Sequence, residues 1–213
     1  DTMTVKSIGN TLKIWVLNFI PQILLALLLA SWFTDTVVKL KGQGAFKIMM
    51  FMPNIITASS IAVLFYSLFN ANGPITMMLQ NAHIISEKYD FMEKPGGTIG
   101  LIAFMQFWMW YGNTMIVLCA GILGINPSLY EAASVDGATS KQQFFKITLP
   151  LLRPILIYVI ITSLIGGLQL FDVPQILTNG TGNPVRSSMT LIMYLNKRLY
   201  SKDYGMSGAL SVI

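Results

Sequence analysis

Residues 14–34 run for 21 positions without a charged side chain, and a helix needs about 20 predominantly apolar residues to cross a hydrocarbon core. Comparable runs occupy 48–69, 98–123 and 154–171, and another opens near Gly205. Only 11% of the 213 residues are charged, against 54% hydrophobic, whereas an ordinary soluble domain carries about 25% charged residues. Nine acids and fourteen Lys and Arg cannot coat a water-exposed surface of this size. A soluble enzyme, a nucleic-acid-binding domain and a disordered tail are therefore excluded. No strand-like alternation competes, so the fold expected is all-α, a polytopic helical bundle whose backbone is satisfied within each segment. The net charge of +5 suits lipid headgroups at the bilayer surface rather than nucleic acid.

The spans expected are 12–34, 48–69, 98–123, 151–171 and an incomplete 205–213. Lys6 and Lys13 before the first run would also fit a signal peptide, but an apolar signal core covers about 7–15 residues and this run is longer. The chain begins at Asp1, and 205–213 opens a helix without completing it, so a piece of a longer protein is expected. Cys119 is the single cysteine and lies in an apolar stretch, which leaves no disulfide framework and no Cys-based metal site. One histidine, His83, and no clustered carboxylates argue against metal or hydrolytic chemistry. A phosphate-binding loop needs Gly-Lys followed by Ser or Thr, and no Gly-Lys dipeptide occurs. The positive-inside rule ties: Lys39, Lys41, Lys47, Lys141, Lys146 and Arg153 flank one side, while Lys88, Lys94, Arg186, Lys197, Arg198 and Lys202 flank the other.

Orientation must come from the loop 124–150. Asn126 suits an N-cap and Pro127 the first helical position, so a short helix should run through Glu131 to about Asp136. Gly137 can take the left-handed conformation that ends it. Ser140 and Gln143 have capping-box spacing for a second helix over 141–149, and Pro150 marks its junction with the fourth span. Ala132 and Ala133 thin one side of the first helix beside the charge of Glu131. Taken alone, this hairpin reads as an amphipathic element lying on the membrane or as a docking surface.

The spacing Glu131-Ala-Ala, three residues, Gly137, nine residues, Ile147, one residue, Leu149-Pro150 resembles the EAA loop of ABC importer permeases. Asn10-Thr-Leu12, Phe51-Met-Pro-Asn54, Phe69-Asn-Ala-Asn-Gly-Pro74 and Tyr204-Gly-Met-Ser-Gly-Ala-Leu210 are similar to segments of the larger, maltose-type sugar permease. Leu177-Thr-Asn-Gly-Thr-Gly-Asn-Pro184 resembles its extracytoplasmic loop, where the family more often has Thr-Gly-Gly-Pro. The resemblance implies the ABC importer permease (MetI-like) fold in a bacterial inner membrane, with 124–150 cytoplasmic and the family's first helix missing. It implies that Glu131, Ala132, Ala133, Asp136, Gly137, Ile147, Leu149 and Pro150 dock on an ATPase subunit. It further implies a second permease, an ATPase dimer that holds ATP and Mg, and an extracellular or periplasmic solute-binding protein, with no cofactor in this chain. Uptake of a sugar would proceed by alternating access.

Polar residues inside spans are expensive and usually face a bundle interior. Gln106, Trp110 and Asn113 share one face of the third span by helical spacing, and Ser163, Gly167 and Leu170 do so on the fourth. Asn54 beside Pro53 is a further candidate. Amides, an indole platform and glycine space suit a sugar path; equally, amides can bridge helices and glycines can permit close packing. A secondary carrier or channel is the alternative, but such proteins usually carry ionisable groups in their spans, and these four runs have none. A membrane scaffold would not require the loop.

Overall fold

The computed structural model describes residues 2–34, 42–86 and 89–212; the start of the expected first loop and Ile213 lie outside them. Helix α1 (Thr2–Phe33) begins well before its apolar run. Helix α2 (Gln43–Phe51) passes into a 3-10 turn (Met52–Ile55), and α3 (Ala58–Phe69) follows. The span expected to be continuous over 48–69 is thus two segments. Pro53 has no N–H to offer a helical ladder, and the Thr57 side chain accepts a hydrogen bond from the Ser60 N–H at 3.3 Å, starting a fresh helix. Helix α4 (Pro74–Asn81) opens on proline, and α5 (Pro95–Leu123) is the third span. After the hairpin helices α6 (Pro127–Val135), α7 (Ser140–Gln143) and α8 (Leu149–Leu151) comes α9 (Arg153–Leu168). Helices α10 (Asp172–Leu177), α11 (Leu191–Tyr200) and α12 (Tyr204–Ser211) complete the chain. No strand occurs among the described residues.

The fourth span also differs from expectation, because α9 stops at Leu168 and Leu170 lies outside any helix. Pro174 explains this: in a continuous helix its ring would clash with the carbonyl four residues back, that of Leu170. The Leu170 carbonyl instead accepts the Thr190 hydroxyl at 2.7 Å, so the break leaves no orphan acceptor.

The chain divides into two compact units. The first comprises Asp1–Phe19, Ile56–Phe107 and Leu164–Ile213. In it α10 packs along α3 and α11 along α12, around Met189, Leu191, Met193, Tyr194 and Leu210. The amino end of α1 grips the segment before α11. Lys6 Nζ donates to the Val185 carbonyl at 2.7 Å, and Asn10 Nδ2 donates to those of Arg186 and Met189 at 3.0 and 3.1 Å. Buried Thr11 Oγ1 accepts the Leu191 N–H at 3.0 Å and donates to the Ser7 carbonyl at 2.8 Å. The N–H groups of a helix's first turn have no partner within the helix, and Thr11 supplies one for α11.

The second unit comprises Ile20–Ile55 and Trp108–Ser163. Lipid tails are as apolar as leucine, so helices in a bilayer associate through close packing and hydrogen bonds. Both are present. Gln22 Nε2 donates to Thr114 Oγ1 at 2.8 Å in a buried bridge from α1 to α5. A Cβ on Gly112 of α5 would lie 2.0 Å from the Met50 carbonyl oxygen of α2, so only glycine permits that approach. Exposed Ile20, Leu24 and Leu28, a turn apart on α1, form a lipid-facing stripe.

Candidate coupling site

The hairpin 124–150 lies wholly within the second unit. Asn126 caps α6, its Oδ1 accepting the Ser128 N–H at 3.1 Å. Gly137, at φ +76°, turns the chain out of α6. The Ala138 N–H donates to the Ala133 carbonyl at 2.9 Å and the Gly137 N–H to that of Ser134 at 3.1 Å, the paired closure of a Schellman stop. The second helix starts one residue earlier than expected. Thr139, not Ser140, is its cap: Thr139 Oγ1 accepts the Gln142 N–H at 3.3 Å and Gln142 Oε1 accepts the Thr139 N–H at 2.8 Å. Both pairs have capping-box spacing, but Gln143 is committed across the hairpin, where its Nε2 donates to Ser134 Oγ at 3.0 Å. A second tie joins Tyr130 OH and Thr148 Oγ1 at 2.9 Å.

Helix α7 reaches α8 through a π turn over Phe144–Thr148, in which the Leu149 N–H donates to the Phe144 carbonyl five residues back. Pro150 has no N–H for the Lys146 carbonyl, so the normal ladder cannot run through this point. Expected as a plain helix, 141–149 is therefore a helix with one wide turn. Tyr130, Ser134 and Thr148 were not singled out from the sequence, since nothing in the spacing of a tyrosine and a threonine eighteen residues apart marks them as partners.

No residue of α6 is buried. Glu131, Ala132, Asp136, Gly137 and Pro150 are exposed, whereas Ala133, Ile147 and Leu149 are half-buried. Val135 is 89% exposed and Phe145 55%. The hairpin thus leaves both apolar groups and the carboxyl-bearing Glu131 and Asp136 open.

The residues proposed to line a path are distributed over both units. Gln106, Gly167 and Leu170 belong to the first; Asn54, Trp110, Asn113 and Ser163 belong to the second. Asn54 Nδ2 donates to the Met109 carbonyl at 3.3 Å, so its amide ties the 3-10 turn to α5. At Gly167 the space is already filled, since a Cβ would sit 2.3 Å from Cδ1 of Trp15. Leu170 is buried. Gln106, Asn113 and Ser163 are half-buried, and Trp110 is 46% exposed.

Four segments long and apolar enough to cross a bilayer, Thr2–Phe33, Ala58–Asn81, Pro95–Leu123 and Arg153–Leu177, define a multi-span membrane protein with an exposed helical hairpin before the last of them. The chain belongs to the family described as binding-protein-dependent transport system inner membrane component, which matches it over residues 11–212. It is accordingly a multi-pass protein of the bacterial inner membrane. It is 34% identical over 195 residues to the lactose transport system permease protein LacF of Rhizobium radiobacter, covering 92% of this chain and 65% of that protein. It is 28% identical over 213 residues to the multiple sugar-binding transport system permease protein MsmF of Streptococcus mutans, covering 100% of this chain and 71% of that protein. This chain thus spans about two thirds of the length of these relatives. Among solved structures, a bacterial ABC transporter involved in import of the acidic polysaccharide alginate has a chain with TM-score 0.83 and 26% identity, covering 98% of this chain and 72% of that one. The same likeness holds to that transporter in complex with its alginate pentasaccharide-bound periplasmic protein.

Proposed function

We propose that this chain forms the membrane pathway of an ATP-driven saccharide importer, paired with a second, related permease and served by a separate solute-binding protein. ATP and Mg reside on a separate ATPase dimer, and the present chain supplies no catalytic group. Glu131, Ala132, Ala133, Asp136 and Gly137 form the docking surface, while Ile147, Leu149 and Pro150 carry its displacement into α9. A partner can drive such a change only by binding one state better than the other; a hairpin tied at Tyr130–Thr148 and Ser134–Gln143 moves as one piece when gripped. The single observation that carries this reading is the exposure of the Glu131 face on a hairpin held by its own cross-ties.

The solute path in this reading follows the face of α5 that carries Trp110 and Asn113, within the second unit. Asn54, tied to the Met109 carbonyl, acts in packing rather than in the path. In the full-length importer, Glu131→Ala should lower nucleotide-driven sugar uptake at least tenfold and weaken retention of the ATPase on purification. Normal uptake with the ATPase retained would remove the docking role.

A further inference from the structure

We propose that the cleft between α10 and α11 is a second saccharide site and that it takes a sugar ring bearing a carboxylate. The proposal rests on the importer reading for the class of its ligand. The cleft has a volume of about 340 Å³, at the lower end of the range of small-ligand sites, and lies entirely within the first unit. Its lining includes Gln175, Asn196, Lys197 and Tyr200, together with Phe171 and Ser201. The side chains of the first four make no hydrogen bond or ion pair with any described residue.

That inventory matches a sugar. Each primary amide offers both a donor and an acceptor, which is what a hydroxyl of a diol also needs. The Phe171 and Tyr200 rings give an apolar wall for the carbon face, and Lys197 gives a cation. No acidic residue lines the cleft. Nearby Asp203 is engaged by Arg198 at 3.5 Å, and Arg198 itself is bound to the Tyr194 hydroxyl through Nε and Nη2 at 3.0 and 2.6 Å. The charge left for a ligand is therefore that of Lys197. Gly180, at φ +73°, keeps the wall thin, for a Cβ there would come 2.9 Å from Nε2 of Gln175. A socket for one acidic side chain of a binding protein would use Lys197 but would leave both amides without a purpose.

The test uses the full-length permease complex in nanodiscs without nucleotide, with Ser201→Cys as a reporter and other reactive cysteines replaced by serine; this chain's own Cys119 is buried. Alkylation by a charged maleimide is timed with D-glucuronate, D-glucose or the sugar-free binding protein. Glucuronate should slow labelling at least threefold and at lower concentration than glucose. Gln175→Ala and Asn196→Ala should each weaken this protection about fivefold, the size of one net neutral hydrogen bond. Lys197→Gln should erase the difference between the two sugars. Rates unmoved by either sugar, or protection that survives the double amide variant, overturn the site; glucuronate no better than glucose overturns the acidic-sugar assignment. Protection by the sugar-free binding protein alone overturns it in favour of a protein socket. Because labelling is read without nucleotide, sugar protection of the Ser201→Cys reporter together with failure of the wild-type complex in ATP-driven uptake refutes the importer reading and leaves the cleft standing.

Discussion

Gly112→Ala is the substitution whose cost the structure defines most sharply. The new Cβ would lie 2.0 Å from the Met50 carbonyl oxygen, 2.7 Å from its carbon and 3.0 Å from Cα of Phe51, where ordinary contact begins at 3.4 Å. All three are backbone atoms, so no rotamer change can clear them; α2 must retreat from α5 by about 1.4 Å, the gap between 3.4 and 2.0 Å. Overpacking of this kind costs about 3 kcal/mol, the upper end of the usual range, or roughly 6–12 °C in melting temperature for a chain of this size. Two control glycines on the same helix isolate the cause. At Gly121 the nearest atoms are Ile155 Cδ1 at 2.4 Å and Leu152 Cδ1 at 3.0 Å, the far ends of flexible side chains. An off-rotamer adjustment there costs about 1 kcal/mol, roughly cancelled by alanine's helix propensity. Nothing lies within 4 Å of a Cβ on Gly100, so Gly100→Ala should be neutral or should raise the melting temperature by a few degrees, as propensity alone dictates. Fluorescence-detected melting of the three purified variants gives the order directly. Equal melting temperatures for Gly112→Ala and Gly121→Ala would refute the claim that α2 and α5 touch backbone to backbone.

Two further substitutions probe single hydrogen bonds. Thr11→Val leaves the Leu191 N–H buried without its acceptor and should cost about 1–3 kcal/mol, while Thr11→Ser should melt like wild type; a valine variant of unchanged melting temperature would refute the role of Thr11 as a cap for α11. Tyr130→Phe removes the 2.9 Å tie to Thr148 and should speed hydrogen exchange across 127–148 about fivefold, corresponding to about 1 kcal/mol; unchanged exchange would show that the hairpin is held by other contacts.

Helix positions were legible because charge-free length is a one-dimensional property: α1 and α5 contain the runs that announced them. The hairpin was legible because caps and glycine stops act over three or four residues, and Asn126, Pro127 and Gly137 each do locally what their chemistry requires. The breaks were harder. Prolines are tolerated in membrane helices when neighbours re-satisfy the freed carbonyls, so Pro21 sits inside a continuous α1 whereas Pro53 and Pro174 accompany interruptions. The difference is made by groups distant in sequence or just beyond the break. Thr190, twenty residues from Leu170, takes its carbonyl, and Thr57 restarts the helix after Pro53. The polar faces were ambiguous for the same reason. Helical spacing places Gly167 on a face but cannot say that Trp15 occupies the space it leaves.

The hairpin's rigidity also has a direction. Its five devices, the Asn126 cap, the Gly137 stop, the Thr139–Gln142 box and the two cross-ties, each contribute about 1 kcal/mol, so bending it internally costs several kcal/mol. From Ser140 onward the chain runs helically toward α9, with a wide turn at Phe144–Thr148 and a one-residue turn at Leu152. Elsewhere a π turn can revert to α by shifting each N–H to the carbonyl four residues back, but here Pro150 has no N–H with which to complete the regular ladder. A partner that grips α6 therefore meets less resistance in moving the hairpin with α9 than in deforming it. The residue that looks like a helix breaker is what prevents the joint from changing register.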